Sequence, residues 1–153
     1  MQLSMSTQHF KKSILVFWLA WFAIALWTDV VGGLAHMGLL NAAWAPDVNY
    51  PNLVNVLKMY SVPSWLPTIC FIGIVAWLLL ITVAFMRACL MLGQEPHAWI
   101  DAGRDAFILS LGLWLAFLLA DQIVMQYALE ANHMVQAGFE LLCFLAFILL
   151  PND

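Results

Sequence analysis

The sequence predicts an all-α integral membrane protein, a four-helix bundle with a short interfacial helix between its first two spans. Three observations carry that expectation. Of 153 residues, 65% are hydrophobic and only 9% charged, whereas a soluble domain carries about 25% charged residues. Four apolar runs, Ser13–Leu40, Leu66–Phe85, Ala106–Leu129 and Met134–Leu150, approach or exceed the roughly 20 helical residues that cross a hydrocarbon layer. A proline-punctuated stretch separates the first two runs. A chain this short has too few polar residues to wrap four buried helices in a soluble core. No internal repeat or linker divides it, so 1–153 reads as one domain.

The net charge of −4 is spread among loops and helix ends, and five basic residues form no patch for a nucleic acid. No nucleophile elbow, phosphate loop or dinucleotide fingerprint occurs. Cys70, Cys89 and Cys143 fall inside helices or near opposite membrane faces, which argues for packing residues and against a disulfide framework. The run after Lys11 and Lys12 is too long for a signal core and closes without a small-x-small site, so it is expected to stay as a helix.

The elements follow in order. The first span, Ser13–Leu40, reaches about 42 Å at 1.5 Å per residue, longer than a hydrocarbon core of about 30 Å. Trp18, Trp21 and Trp27, with Phe17 and Phe22, are expected to give it a bulky surface towards lipid or a partner. Asp29 and His36 share one of its faces, with Gly32 and Gly33 between them to admit a close neighbour. In the loop Asn41–Pro67, Leu53, Val54, Leu57 and Tyr60 form an apolar stripe at helical spacing. That predicts a short interfacial helix lidding the bundle, with Trp44, Tyr50 and Trp65 at headgroup level.

The second span, Leu66–Phe85, has no ionisable residue. A loop over Arg87–Asp105 is expected to follow, with Asp105 as a first-turn acid of the third span. That span runs to about Leu129, and a short turn over Glu130–His133 leads to the fourth, which Gly138 is expected to bend. Lys11, Lys12, Arg87 and Arg104 favour one side, against Lys58 on the other. The positive-inside rule then puts both termini in the cytoplasm of a bacterial inner membrane.

The chemistry-bearing stretch is DQIVMQYALEANHMVQAGFE, Asp121 to Glu140, where Glu130, His133 and Glu140 recur at i, i+3 and i+10. Charged groups beside hydrocarbon need a partner or a use. Counting residues from Lys12 and Asp105 sets Asp29 and Asp121 at similar depth in the outer half, with His36, Glu130 and His133 beyond them. Glu140 lies nearer the middle. If these six meet, three chemistries open. Asp29, Asp121, Glu130, His133 and Glu140 have the residue types of a di-metal carboxylate site, Glu130-x-x-His133 having ligand spacing. His36 and His133 have the types for axial ligands of a b-type haem. A buried carboxylate beside a histidine also suits proton relay or a quinone headgroup. Against all three stands a chain with no cofactor, whose polar groups are paired or reached by water.

The segment Tyr60-Ser-Val-Pro63-Ser-Trp65-Leu66, the LADQ of Leu119–Gln122, His133 and the LLPN of Leu149–Asn152 follow the order of parts in small bacterial four-helix membrane proteins. In this the chain resembles the DoxX-like kind. It departs from them in having no acidic residue near Trp77 and no arginine in the first span. The resemblance implies a part in membrane redox or quinone-linked chemistry, or an accessory role. Aromatic-rich spans without a soluble domain or a complete catalytic set point to the accessory role, with other membrane subunits and lipid as partners. A small redox or metal-binding protein is the alternative.

Overall fold

The computed structural model describes residues 7–41, 43 and 47–151. Helix α1 spans Thr7–His36 and α2 spans Asn49–Leu57, continued by a 3-10 turn over Lys58–Tyr60. Helices α3 (Leu66–Leu90), α4 (Pro96–Ile123) and α5 (Tyr127–Leu149) complete the chain. Four of these, α1, α3, α4 and α5, are long and apolar enough to cross a membrane. They alternate in direction. One end of the bundle holds the start of α1, the α3–α4 turn and the end of α5; the other holds α2 and the α4–α5 turn. Around the bundle α1 packs on α3, α3 on α4 and α4 on α5, and α5 comes back to α1 along a sparse seam.

The apolar lid helix forms where its stripe predicted it. It has no buried residue and lies against α1 and α3. Tyr50 Oη meets Thr68 of α3 at 2.9 Å, and the Tyr60 hydroxyl reaches across to donate to the carbonyl of Ile123, at the end of α4. Trp44 and Pro46 lie outside the described residues.

Helix α1 starts at Thr7 and not Ser13, and α3 runs on to Leu90 past Phe85; four further helix ends also differ from expectation. The first helix stops at His36 and not Leu40. There the N–H of Leu39 bonds the Leu34 carbonyl, that of Gly38 bonds Ala35, and Gly38 has φ 72°. That is a Schellman cap, and its left-handed residue is the glycine. Helix α4 begins at Pro96, not near Asp105. His97, Asp101, Arg104 and Asp105 are its exposed face, while Trp99, Ala102, Gly103 and Ala106 are buried on the other. Polar residues that read as a loop are one side of an amphipathic turn, joined by an Asp101–Arg104 ion pair at 3.2 Å. Proline suits the first turn because its missing N–H would have no intrahelical acceptor there.

The third departure is the end of α4 at Ile123, and the fourth is the start of α5 at Tyr127. The turn therefore lies at Val124–Gln126, and Glu130–His133 is helical. Here the same cap is built without glycine. Met125 holds φ 53°, its N–H bonds Gln122, and that of Gln126 bonds Asp121. Gly138 is an interior residue of α5, with open space around it.

The core is a ladder of rings that visits every span. Phe22 of α1 stacks on Phe85 of α3 at 5.7 Å, Phe85 meets Phe107 of α4 edge-on at 5.2 Å, and Phe107 meets Phe147 of α5 at 5.5 Å. Trp99 closes on Phe147 at 6.0 Å. Such offset and edge contacts add to dispersion, the attraction that remains when lipid replaces water outside. The expectation that Trp18 and Phe22 face outward is corrected here. Each is 1% exposed, Phe22 against Phe85 of α3 and Trp18 against Phe139 of α5, whereas Phe17, Trp21 and Trp27 do point out. Gly103 permits the tightest approach: a Cβ there would lie 2.6 Å from Phe147 Cζ.

Lys11, 1% exposed, ends this core. Its Nζ donates to the Leu150 carbonyl at 2.7 Å and lies over the Phe147 ring. A cation at the carbonyl end of α5 also complements the helix dipole.

Candidate functional site

The polar chemistry lies in three places, each assembled by a different pair of elements. The first joins α4 and α5 at the lidded end. The last turn of α4 places Asp121 opposite His133 of α5, with Nδ1 2.6 Å from Oδ2. An ionised carboxylate only accepts, so Nδ1–H donates and the tautomer leaves Nε2 as the free ring position. Among the described residues no side chain bonds Nε2. The imidazole is stacked on Phe117 at 4.9 Å and 19°, with Trp114 at 6.0 Å, and its side chain is 19% exposed. One turn away Gln122 donates to Glu130 at 2.6 Å.

The second place is half-way along the same helix pair. Glu140 is fully buried, and the hydroxyl of Ser110 and the indole N–H of Trp114 reach its two carboxyl oxygens. Ser110 and Trp114 stand at i and i+4 on α4, so one face presents both donors. Among the described residues no lysine or arginine pairs with Glu140. Neutral donors at both oxygens are what make its burial bearable, since an unmet carboxyl in such a core is strongly destabilising.

The third place lies between α1, the segment leading into α2, and α3. Asp29 is 7% exposed and accepts from the Asn49 side-chain amide. His36, at the last turn of α1, donates from Nδ1 to Asp47 Oδ2 at 2.6 Å, and its ring lies 4.5 Å from that of Tyr50. A cavity of about 170 Å³ opens beside them, walled in part by Gly32, Gly33, Tyr50 and Phe71.

The six residues singled out from the sequence are therefore not one constellation. Asp121 and His133 meet. Glu130 stands beside them with Gln122, Glu140 has its own donors, and Asp29 and His36 turn to the α2 side. Among the described residues no three of His, Cys, Asp and Glu group closely enough to hold a metal ion. The expected shared metal set of Asp29, Asp121, Glu130, His133 and Glu140 is thus not assembled. The reason is topological: α1 packs on α3, and α4 on α5, so similar depth in the bilayer does not bring Asp29 to Asp121. His36 and His133, considered as a haem pair, pack on different rings, Tyr50 and Phe117.

Sequence reasoning missed Asn49, Asp47, Ser110 and Trp114, the partners that these residues found. Ser110 had a visible signal, being a hydroxyl in an otherwise apolar run. Asp47 and Asn49 had none, because loop residues carry no periodicity.

No family model, curated protein or solved structure matches the chain. Its reading rests on its own residues.

Proposed function

We propose that this chain is a small, non-catalytic accessory subunit of a larger energy-converting complex, respiratory or photosynthetic, in a bacterial inner membrane with both termini cytoplasmic. The supporting observation is the α1–α5 seam. Phe17, Trp21 and Phe139 flank it and are 44%, 41% and 51% exposed. The two helices touch through Phe17–Phe139, Trp18–Phe139 and Lys11–Leu150. In lipid, helices associate by shape and dispersion, and an aromatic strip on a loosely closed seam offers both to a neighbouring span. Gentle detergent extraction and native electrophoresis test this. Migration within a larger assembly, lost on Phe139→Ala, is expected; migration alone with full activity on some substrate overturns it.

A second reading, a small membrane redox protein, is favoured by one observation, the Asp121–His133 pair. Its buried carboxylate orients an imidazole whose Nε2 is uncommitted under an aromatic wall, an arrangement suited to hydrogen-bonding a quinone carbonyl and passing a proton. Quinone extracted with the purified protein, and lost in His133→Phe, is the result expected of that reading. A visible spectrum and metal analysis address haem and metal on the same sample.

A further inference from the structure

We infer that the cavity between α1, the entry to α2 and α3 binds a small organic ammonium cation, as a free solute or as the headgroup of a lipid. Charge points to such a ligand first, independently of the accessory reading. Asp29 and Asp47 bring two carboxyl groups to one cavity. Among the described residues no lysine or arginine pairs with either of them. Asp29 is 7% exposed and, among the described residues, is bonded by the neutral amide of Asn49. Asp47 gives Oδ2 to His36, while its buried Oδ1 has no hydrogen-bond partner among the described residues. Buried acceptors of this kind are costly unless a donor or a cation meets them. With His36 offsetting at most one negative charge, the site favours a positive ligand.

The walls say which kind. Tyr50 and Phe71 meet edge to face at 5.4 Å, and both line the cavity. Aromatic faces beside carboxylates recognise alkylammonium groups through cation–π attraction and dispersion, whereas a bare metal ion asks for oxygen all round. Size agrees. A volume of about 170 Å³ falls below the roughly 300 Å³ at which drug-sized pockets begin, and suits a headgroup of a few heavy atoms. Gly33 shapes the wall, since a Cβ there would lie 2.9 Å from the Phe71 ring, and Gly32 lines the α1 side beside it. The place suits either source. It sits at the lidded end of the bundle, beside the short α2 helix with no buried residue, where the apolar α1 and α3 end or begin.

The test uses the full chain in detergent. Calorimetric titration with choline is compared with 3,3-dimethylbutan-1-ol, its uncharged isostere, and with potassium chloride. Saturable choline binding, at least tenfold stronger than that of the isostere and weakened at least tenfold in Asp29→Asn and in Asp47→Asn, is expected if the source is a free solute. In the lipid arm, native mass spectrometry follows retention of phosphatidylethanolamine against phosphatidylglycerol from mixed micelles. Preferential retention of the ammonium lipid, lost in Asp47→Asn, supports the lipid source. Circular dichroism confirms that each variant is folded, and the isostere comparison needs no variant at all. Equal binding of the isostere, full displacement of choline by potassium, or absence of both choline binding and lipid preference overturns the proposal.

Discussion

The two ends of the bundle are built on opposite principles. At the end where the chain enters and leaves, Trp99, Phe107 and Phe147 are buried together, Gly103 lets them close, and the buried charge of Lys11 is met by the carbonyl of Leu150. At the lidded end the helices are joined by polar pairs, Asp121 with His133 between α4 and α5, and Asn49 with Asp29 and His36 with Asp47 beside the cavity. The first end has shape and little chemistry; the second has chemistry and looser shape. Glu140 marks the boundary, a carboxyl enclosed as tightly as any core residue yet bonded like a site residue. The lesson is that hydrophobicity is uniform along these spans, and packing is not. Dispersion needs close backbones, so small residues decide where a lipid-embedded bundle is rigid.

Substitutions can break or sharpen this contrast. The largest effect is expected from Gly103→Leu. It forces a side chain into Phe147 and Leu15 and should cost about 3 kcal/mol, the upper range for overpacking, seen as an earlier unfolding midpoint in a mixed-micelle titration. Gly138→Ala, with nothing within 4 Å of the added carbon, should move the same midpoint by less than about 0.5 kcal/mol. Equal effects at the two glycines would erase the distinction between a packed end and a loose helix interior.

Next comes Glu140. Replacement by alanine strands the indole N–H of Trp114, while the Ser110 hydroxyl keeps the Phe107 carbonyl, and should cost about 2 kcal/mol, within the range for orphaned buried polar groups. Glu140→Gln retains acceptor and shape, and should keep most of that stability. A glutamine variant as unstable as the alanine variant would mean that the charge, and not the bonding, holds the site.

Smaller still is the coupling of Asp121 to His133. A double-mutant cycle through Asp121→Ala and His133→Ala should return about 0.6 kcal/mol, the usual worth of a polar pair between membrane helices. A coupling near zero would place the lidded end's cohesion in the lid alone. The smallest expected change is a gain: Met125→Gly relieves a left-handed turn residue and should add up to about 1 kcal/mol.

How much of this was legible depends on the kind of signal. The four spans and the short helix between the first two follow from hydropathy and the 3.6-residue stripe, and the structure has the helices they describe. The end of α1 carried a signal in Gly38, with its tolerance of positive φ, although hydropathy alone runs the span on to Leu40. Met125 could not announce the end of α4, since its side chain gives no hint of a left-handed backbone. The start of α4 was hidden because a helix half out of hydrocarbon looks polar residue by residue, and only its buried face, Trp99 to Ala106, reveals it.

By itself, then, the chain's composition determined that four of its helices are long and apolar enough to cross a membrane, because the transfer of apolar side chains is a local and additive property. Which helix stands beside which was decided only in three dimensions. Adjacency depends on the fit of whole faces, Gly103 against Phe147 and Phe22 against Phe85, and no term for that fit is carried by a residue alone. The partners of Asp29, His36, Asp121 and Glu140 followed from that adjacency, and with them the division of one expected site into three.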